Sequence, residues 1–221
     1  MKRGILEGIR VLDLTRMLSG PYATMLLADH GAEVIKVESL EGDSSRRSGP
    51  FRADDIDKKW SGYFVSLNRN KKSISLNLKN QDDIDFLKKL VENSDVLVEN
   101  FRPGVMSRLG LSFEELLKIN TRIVYGTISG FGSEIFGESP YKNWPSYDVV
   151  AQAMGGLISL TGYDEENPLK VGPGIADIFS GSLLSFGLLA SILKVRDTGR
   201  AQFVEVAMYD AIISMCERAI Y

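Results

Sequence analysis

The sequence predicts an α/β fold built on an open, mainly parallel sheet with flanking helices. Short apolar runs typical of buried strands alternate with segments of helical periodicity between residues 9 and 132. Glycine and proline stand at many of the junctions, where they end one element and begin the next. From residue 147 onward helical segments dominate, so we expect a helix-rich segment to follow the sheet.

The first three predicted elements form a βαβ unit. Residues 9–15 (IRVLDLT) have the pattern of a short buried strand, and residues 32–38 (AEVIKVE) form a second one. The helix between them follows a turn at Gly20-Pro21, where proline suits the first helical turn, and ends near Gly31. A βαβ unit joins parallel strands through a helix, which predicts a parallel sheet covered by helices.

The middle of the chain continues this alternation after a long excursion. Residues 39–63 are polar and charged, and long loops in compact domains are often functional. Residues 71–78 alternate as a strand does, residues 81–94 have helical spacing, and residues 95–101 (DVLVENF) form a third buried strand. Ser112 and Glu115 resemble a capping box at the start of a helix over residues 112–120. Residues 122–132 form a strand that continues into a glycine-rich loop, and residues 202–206 form a last strand before a final helix.

Composition excludes several classes of function. The net charge of −3 gives no electrostatic reason to expect nucleic acid. With a single histidine, His30, the chain offers little basis for a His-based metal site or a Ser-His-Asp triad, and we expect no metal. A lone cysteine, Cys216, fits a reducing cytoplasm. The longest apolar stretch, residues 183–193, is too short to span a bilayer, so we expect a cytoplasmic protein without a membrane contact.

The carboxyl ends of the strands are where an open α/β sheet binds ligands. Glu38 ends the second strand, where a nicotinamide dehydrogenase carries its ribose-binding acid. However, the turn after the first strand, RMLSGP, lacks the G-x-G-x-x-G glycines that bring the backbone close to a pyrophosphate. The sequence therefore argues against dinucleotide redox chemistry.

Six segments carry a resemblance to a known family. They are residues 11–38, 68–79, 95–111, 125–132, 147–162 and 171–181, the last being VGPGIADIFSG. In this order they resemble the motifs of the class III CoA-transferase family, also called CaiB/BaiF, over nearly the whole chain. The resemblance implies a Rossmann-like large domain, homodimers whose subunits interlock, and an enzyme that moves coenzyme A from an acyl-CoA to a carboxylic acid.

The resemblance also implies roles for individual residues. Asp177 matches the family's nucleophile, and the expected CoA contacts are Met17, Leu18, Ser19, Leu76, Asn100, Phe101, Arg108, Leu109 and Tyr147. Tyr147 and Asp148 together match a Tyr-acid step before the helix that leads to the active site. On local grounds alone Asp177 would be the N-cap of a helix over residues 178–194. The two roles are compatible, because a helix N-terminus stabilises a carboxylate as the anion. Core packing is the alternative role for Phe101.

Two other functions stay open. An α-methylacyl-CoA racemase would share the fold and the CoA site, but it needs an acid/base pair. Racemase-like members carry histidine before the acid, whereas this chain has Ser146-Tyr147-Asp148. The other alternative is a non-catalytic fragment or subunit that needs a second polypeptide, since family members are longer. We assign residues 1–195 to the N-terminal part of the CoA-binding large domain and residues 196–221 to the incomplete start of a linker or second domain.

Some positions depart from the formyl-CoA-transferase-like members. These members have arginine after the second strand and lysine two residues before the Tyr-acid step, where this chain has Ser39 and Pro145. Arg46 or Arg47 could supply phosphate contacts instead. The acids that are exchanged cannot be read from these positions.

Overall fold

A six-stranded, all-parallel sheet forms the centre of the molecule. The computed structural model describes residues 4–164 and 166–219, with Arg218 described by its backbone alone. The strands are β1 (Arg10–Asp13), β2 (Glu33–Glu38), β3 (Lys71–Ser75), β4 (Val96–Glu99), β5 (Val124–Ser129) and β6 (Gln202–Ala207). Their order is β3-β2-β1-β4-β5-β6, and every neighbouring pair is parallel. This arrangement confirms the predicted open parallel sheet.

Helices cover both faces of the sheet. They are α1 (Ser19–Asp29), α2 (Gly62–Leu67), α3 (Gln81–Glu92), α4 (Val105–Arg108), α5 (Phe113–Ile119), α6 (Asp148–Met154), α7 (Leu157–Thr161), α8 (Ile175–Thr198) and α9 (Met208–Met215). Short 3₁₀ turns lie at Ser44–Arg47 and Glu217–Ala219. Side chains of α1, α8 and α9 pack on one face and those of α3 and α5 on the other. Because both faces are covered, β4 and β5 are buried along their whole length, as their mainly apolar sequences predict.

The local predictions can be compared with these elements. Ser112 Oγ accepts a hydrogen bond from the Glu115 backbone N–H at 3.4 Å, so Ser112 caps α5 as its sequence predicts. The helix predicted over residues 178–194 is longer, because α8 begins at Ile175 and ends at Thr198. β6 pairs with β5 over six residues, so the sheet extends past residue 195, while the division into domains stays a prediction.

Helix α8 is long and apolar enough to cross a membrane by length and composition alone. It is longer than the apolar stretch recognised in the sequence, because residues 175–182 (IADIFSGS) and 194–198 (KVRDT) continue the helix at its two ends. One side of α8, with Leu184 and Leu188 fully buried, packs against the sheet in the way of a core helix. The expected cytoplasmic location stays a prediction.

Two buried ion pairs lie at the carboxyl edge of the sheet. Lys36 Nζ is 3.0 Å from Asp43 Oδ2, and both side chains are 1% exposed. Lys71 Nζ is 3.0 Å from Asp13 Oδ2, and Thr24 also donates a hydrogen bond to Asp13. Burial raises the pKa of Asp13, but the charges of Lys71 and Lys36 outweigh it and lower the pKa to about 2. These pairs join β1, β2 and β3 to the loop that follows β2.

We expect Lys36→Met to lower the free energy of unfolding by about 3–5 kcal/mol, because it leaves Asp43 buried without a counter-ion. Urea unfolding at neutral pH measures the change. Lys72→Met is the matched control: this lysine, 72% exposed, pairs with Glu33 at the surface, and its loss should cost less than about 1 kcal/mol. Equal losses in the two variants would contradict a structural role for the buried pair.

Candidate active site

Two adjoining cavities open at the carboxyl edge of the sheet, near the point where the strand order reverses between β1 and β4. The first, the Glu38 cavity, has a volume of 740 Å³ and lies over the ends of β1 and β2. The second, the Asp177 cavity, has a volume of 540 Å³ and lies at the start of α8. Arg16, Ser44 and Phe101 line both cavities and mark their junction.

Most of the residues predicted to form the site line these cavities. The Asp177 cavity contains Asp177 together with Met17, Leu18, Ser19, Asn100, Phe101 and Tyr147. The Glu38 cavity is lined by Phe101 and, in addition, by Leu76 and Leu109. Arg108 lines neither cavity, because it is the last residue of α4 and its side chain is exposed. Thus the fold brings together nine of the predicted positions with Asp177 among them and leaves Arg108 outside.

The loop after β1 is held in place by two side chains. Asn100 follows β4, and its amide accepts from the Arg16 backbone N–H and donates to the Arg16 carbonyl, both at 2.9 Å. The next residue, Met17, has a φ of +68°, which is unfavourable for a residue with a side chain. The Asp43 carboxylate accepts from the Met17 backbone N–H at 3.4 Å. These bonds keep the strained loop against the Asp177 cavity.

Asp177 is the third residue of α8, and Gly174 is its N-cap. The prediction that Asp177 caps the helix is therefore wrong. The cap comes instead from Asp148 on α6, whose Oδ1 accepts from the Ala176 backbone N–H at 2.8 Å and from that of Asp177 at 3.4 Å. Gln152 donates to the other Asp148 oxygen at 2.6 Å and holds this carboxylate in position. The helix end is satisfied by a neighbouring helix, so the Asp177 carboxylate is not needed as a cap.

Close packing of α1 and α8 sets the other side of the Asp177 site. At Gly181 a β-carbon would lie 2.6 Å from the Ser19 carbonyl oxygen, so a larger residue would push the helices apart. This contact brings Ser19, the first residue of α1, against Gly181, which lies one turn of α8 after Asp177. The Ser19 side chain lowers the pKa of Asp177, and the Asn100 amide donates a hydrogen bond to Ser19 Oγ at 3.4 Å.

The environment of Asp177 raises its pKa to about 6. Burial is the main cause, the negative charge of Asp148 adds to it, and the hydrogen bond from Ser19 opposes it. The expected anion therefore persists at neutral pH, but the site holds it less favourably than water does. A carboxylate that is poorly solvated in this way is a better nucleophile than one in water.

Sequence reasoning missed Tyr63 as a residue of the site. Tyr63 is in the first turn of α2, at the end of the long excursion, and it lines the Asp177 cavity. Burial raises the pKa of Tyr63, and the charges of Asp177, Asp43 and Asp148 raise it further, so its hydroxyl stays protonated as a hydrogen-bond donor. The length of the excursion was the only signal that pointed to this region.

The two arginines considered for phosphate contacts have different surroundings. Arg46 donates two hydrogen bonds of 2.7 Å to Glu38, and its guanidinium lies 3.7 Å from the centre of the Phe64 ring. Burial raises the pKa of Glu38, but bonds from Arg46, Ser73 and the Asp43 amide lower it to about 2. Arg46 and Glu38 are therefore engaged with each other, whereas Arg47 is 71% exposed and lines the Glu38 cavity.

The model of CoA-transferase family III matches residues 6–221. The chain belongs to this family. A succinyl-CoA:mesaconate CoA-transferase from Haloarcula marismortui is 45% identical over 99% of this chain and 55% of its own length. A formyl-CoA:oxalate CoA-transferase from Streptomyces coelicolor is 46% identical over 96% of this chain and 49% of its own length. These matches confirm the resemblance that the six sequence segments carry.

The solved structures of family members have the same fold. A CaiB/BaiF family protein from Brucella suis superposes with a TM-score of 0.92 at 34% identity, over 99% of this chain and 57% of that one. The chain thus spans about half the length of the relatives it matches. Within residues 4–164 and 166–219, no group of three or more His, Cys, Asp or Glu side chains is arranged to hold a metal ion.

We expect Asp148→Asn to lower the pKa of Asp177 below 6, because it removes the negative charge beside that carboxyl group. Asparagine keeps an oxygen that can accept from the Ala176 N–H, so α8 should stay capped. Carbon-13 NMR titration of the aspartate carboxyls measures the change, with Asp177→Asn assigning the signal. Asp85→Asn, an exposed change on α3, is the control. An unchanged titration of Asp177 would contradict the proposed repulsion.

We expect Asp177→Asn to raise the free energy of unfolding by about 1–3 kcal/mol at pH 8. Folding raises the pKa of Asp177 from 3.8 to about 6, so its ionisation destabilises the folded protein above pH 6 and has no effect below pH 3.8. The gain should therefore shrink as the pH falls through this range. Urea unfolding of both proteins at several pH values measures this gain. A gain that does not change with pH would argue against a raised pKa of Asp177.

Proposed function

We propose that this chain provides the CoA-binding and nucleophile-bearing part of a class III CoA-transferase. The observation that carries the proposal is the Asp177 carboxyl group, half-buried at the start of α8, where it lines one cavity that adjoins a second. The nucleophile is Asp177, the acyl group and its acceptor occupy the Asp177 cavity, and the nucleotide end of CoA occupies the Glu38 cavity.

An aspartate suits this reaction because thioester exchange releases little free energy and needs only a group that can hold the acyl fragment and then the CoA. Covalent catalysis by a carboxylate divides one difficult substitution into easier steps. Asp177 Oδ attacks the donor thioester carbon, the C–S bond breaks, and CoA leaves as the thiolate with an acyl-aspartyl anhydride formed. The thiolate then attacks the aspartyl carbon, which releases the donor acid and gives an aspartyl-CoA thioester.

The second half of the reaction repeats these steps with the acceptor acid. The acceptor carboxylate attacks the aspartyl thioester, expels the thiolate and forms a second anhydride. The thiolate attacks the acyl carbon of that anhydride, which yields the new acyl-CoA and regenerates the Asp177 carboxylate. No proton is gained or lost in the cycle, and the reacting carboxylates must be ionised throughout.

Each addition produces an oxyanion that needs hydrogen-bond donors. The sequence contains two glycine-rich turns that could supply backbone N–H donors, Ser129 to Gly132 and Gly172 to Gly174. Ser129 and Gly130 line the Asp177 cavity, whereas Gly172, Pro173 and Gly174 do not. The turn after β5 is therefore the better candidate, with the protonated Tyr63 hydroxyl as a further donor.

The racemase alternative is weaker in this geometry. Proton exchange beside the thioester would need a second acid or base opposite Asp177. The chain's one histidine, His30, is the C-cap of α1 and precedes β2, so it lies at the amino edge of the sheet, away from both cavities. Tyr147 lines the cavity at the position where racemase-like members carry the imidazole.

A second polypeptide segment is part of the proposal. On α8, Phe186 and Leu193 are 75% and 62% exposed, and such apolar side chains in one helix face favour an interface. The expected homodimer, or a partner chain that completes the domain, would cover this face. The relatives act on small acids and their thioesters, among them mesaconate, oxalate and formyl-CoA, so we propose small carboxylic acids as substrates.

The test is to incubate the protein with succinyl-, formyl- and acetyl-CoA and then to treat it with hydroxylamine or borohydride. Mass spectrometry should find the trapped adduct on Asp177. Asp177→Ala should lose both the adduct and CoA transfer, whereas Asp197→Ala, at the other end of α8, should keep them.

Other outcomes favour the alternatives. Exchange of the α-proton without an adduct would indicate a racemase. Absence of both reaction and CoA binding would indicate a fragment, and the measurement is then repeated with a co-expressed second polypeptide, with the size of the complex determined alongside.

A further inference from the structure

We propose that Arg16 binds the diphosphate of the CoA substrate, an inference that rests on the proposed function. Arg16 was not among the residues that the family resemblance singles out. Its side chain lines both the Glu38 cavity and the Asp177 cavity, at their junction. A ligand with its nucleotide in one cavity and its thioester in the other must pass this residue. In CoA the diphosphate follows the nucleotide directly and is the first group on the way to the thioester, ahead of the pantetheine arm.

The other cations near the junction are either engaged or placed to one side. Lys36 is buried against Asp43, and Arg46 is held by Glu38. Arg47 and Lys79 line only the Glu38 cavity, and Arg102 lines only the Asp177 cavity. In the part of the chain that the structure describes, Arg16 has no carboxylate partner within ion-pair distance. Its positive charge is thus available at the place where a bound diphosphate would need neutralising.

The backbone of Arg16 is held so that its side chain is directed to the junction. The Asn100 amide bonds both the N–H and the carbonyl of Arg16, and the following residue, Met17, has an unfavourable positive φ. On the other side, the Arg16 guanidinium lies 5.2 Å from the centre of the Phe101 ring. An arginine whose backbone and side chain are both constrained loses little freedom on binding, and strained backbone of this kind occurs most often at ligand sites.

The chemistry of arginine suits this ligand. A guanidinium group is charged at every relevant pH and presents paired N–H donors that match two phosphate oxygens. Lysine at the same place would offer a charge without the paired geometry.

Calorimetric titration of the full chain with CoA, 3′-dephospho-CoA and pantetheine tests the proposal. Dephospho-CoA keeps the diphosphate but lacks the 3′-phosphate, and pantetheine lacks both. We expect Arg16→Gln to weaken the binding of CoA and dephospho-CoA about 10- to 100-fold and to change the binding of pantetheine less than about twofold. Arg16→Lys should lose less affinity for CoA and dephospho-CoA than Arg16→Gln, because lysine keeps the positive charge. Arg196→Gln, on the exposed last turn of α8, is the matched control and should bind all three like the parent.

Three outcomes overturn the proposal. Loss of CoA binding with dephospho-CoA unchanged would assign Arg16 to the 3′-phosphate. Equal weakening of all three ligands would indicate that Arg16 supports the loop and does not bind phosphate, and unchanged binding of CoA would remove it from the site. If the parent protein itself binds no CoA, the proposed function fails together with the role of Arg16, and the parent titration alone identifies that case.

Discussion

The carboxylate of Asp43 connects three parts of the molecule that form the two cavities. One oxygen pairs with Lys36 on β2, and the other accepts from the backbone N–H groups of Ser45 and Met17. A single buried charge therefore fixes the 3₁₀ turn after β2 and the strained loop after β1, and joins both to β2 itself. Such a charge is stable inside the protein only if its partners stay in place. Both the junction at Arg16 and the Met17 to Ser19 edge of the site depend on this arrangement.

A second carboxylate, Asp148, controls the reactive end of the site in a similar way. It caps α8 from a neighbouring helix, and its charge raises the pKa of Asp177. One group thus satisfies the helix N-terminus and at the same time makes the Asp177 anion less stable and more reactive. The arrangement costs stability, which is the usual consequence when a functional group is placed in a low-dielectric site. Gly181 also contributes to the site, because the absence of a side chain there lets α1 bring Ser19 close to Asp177.

Much of the fold could be predicted because strands with both faces covered are apolar throughout, and helices between them have their own periodicity. The cap of α8 could not be predicted from the sequence. An aspartate before an apolar helix is the usual sign of an N-cap, but the helix begins two residues earlier and takes its cap from Asp148, 29 residues before Asp177 in the chain. The ion pair of Arg46 with Glu38 and the position of Tyr63 could not be predicted either, because the long excursion has no periodicity that indicates its contacts.

By itself the sequence determined the parallel α/β fold, the order of its elements and the membership of the CoA-transferase family, because these follow from local patterns and from motifs in a fixed order. Only the tertiary structure decided which charges are free. Arg16 and Asp177 face cavities, whereas Lys36, Arg46 and Asp148 are occupied by partners distant in the chain. The physical reason is that a charge becomes available or engaged through burial and through contacts across the sheet edge, and neither is encoded in the spacing of neighbouring residues.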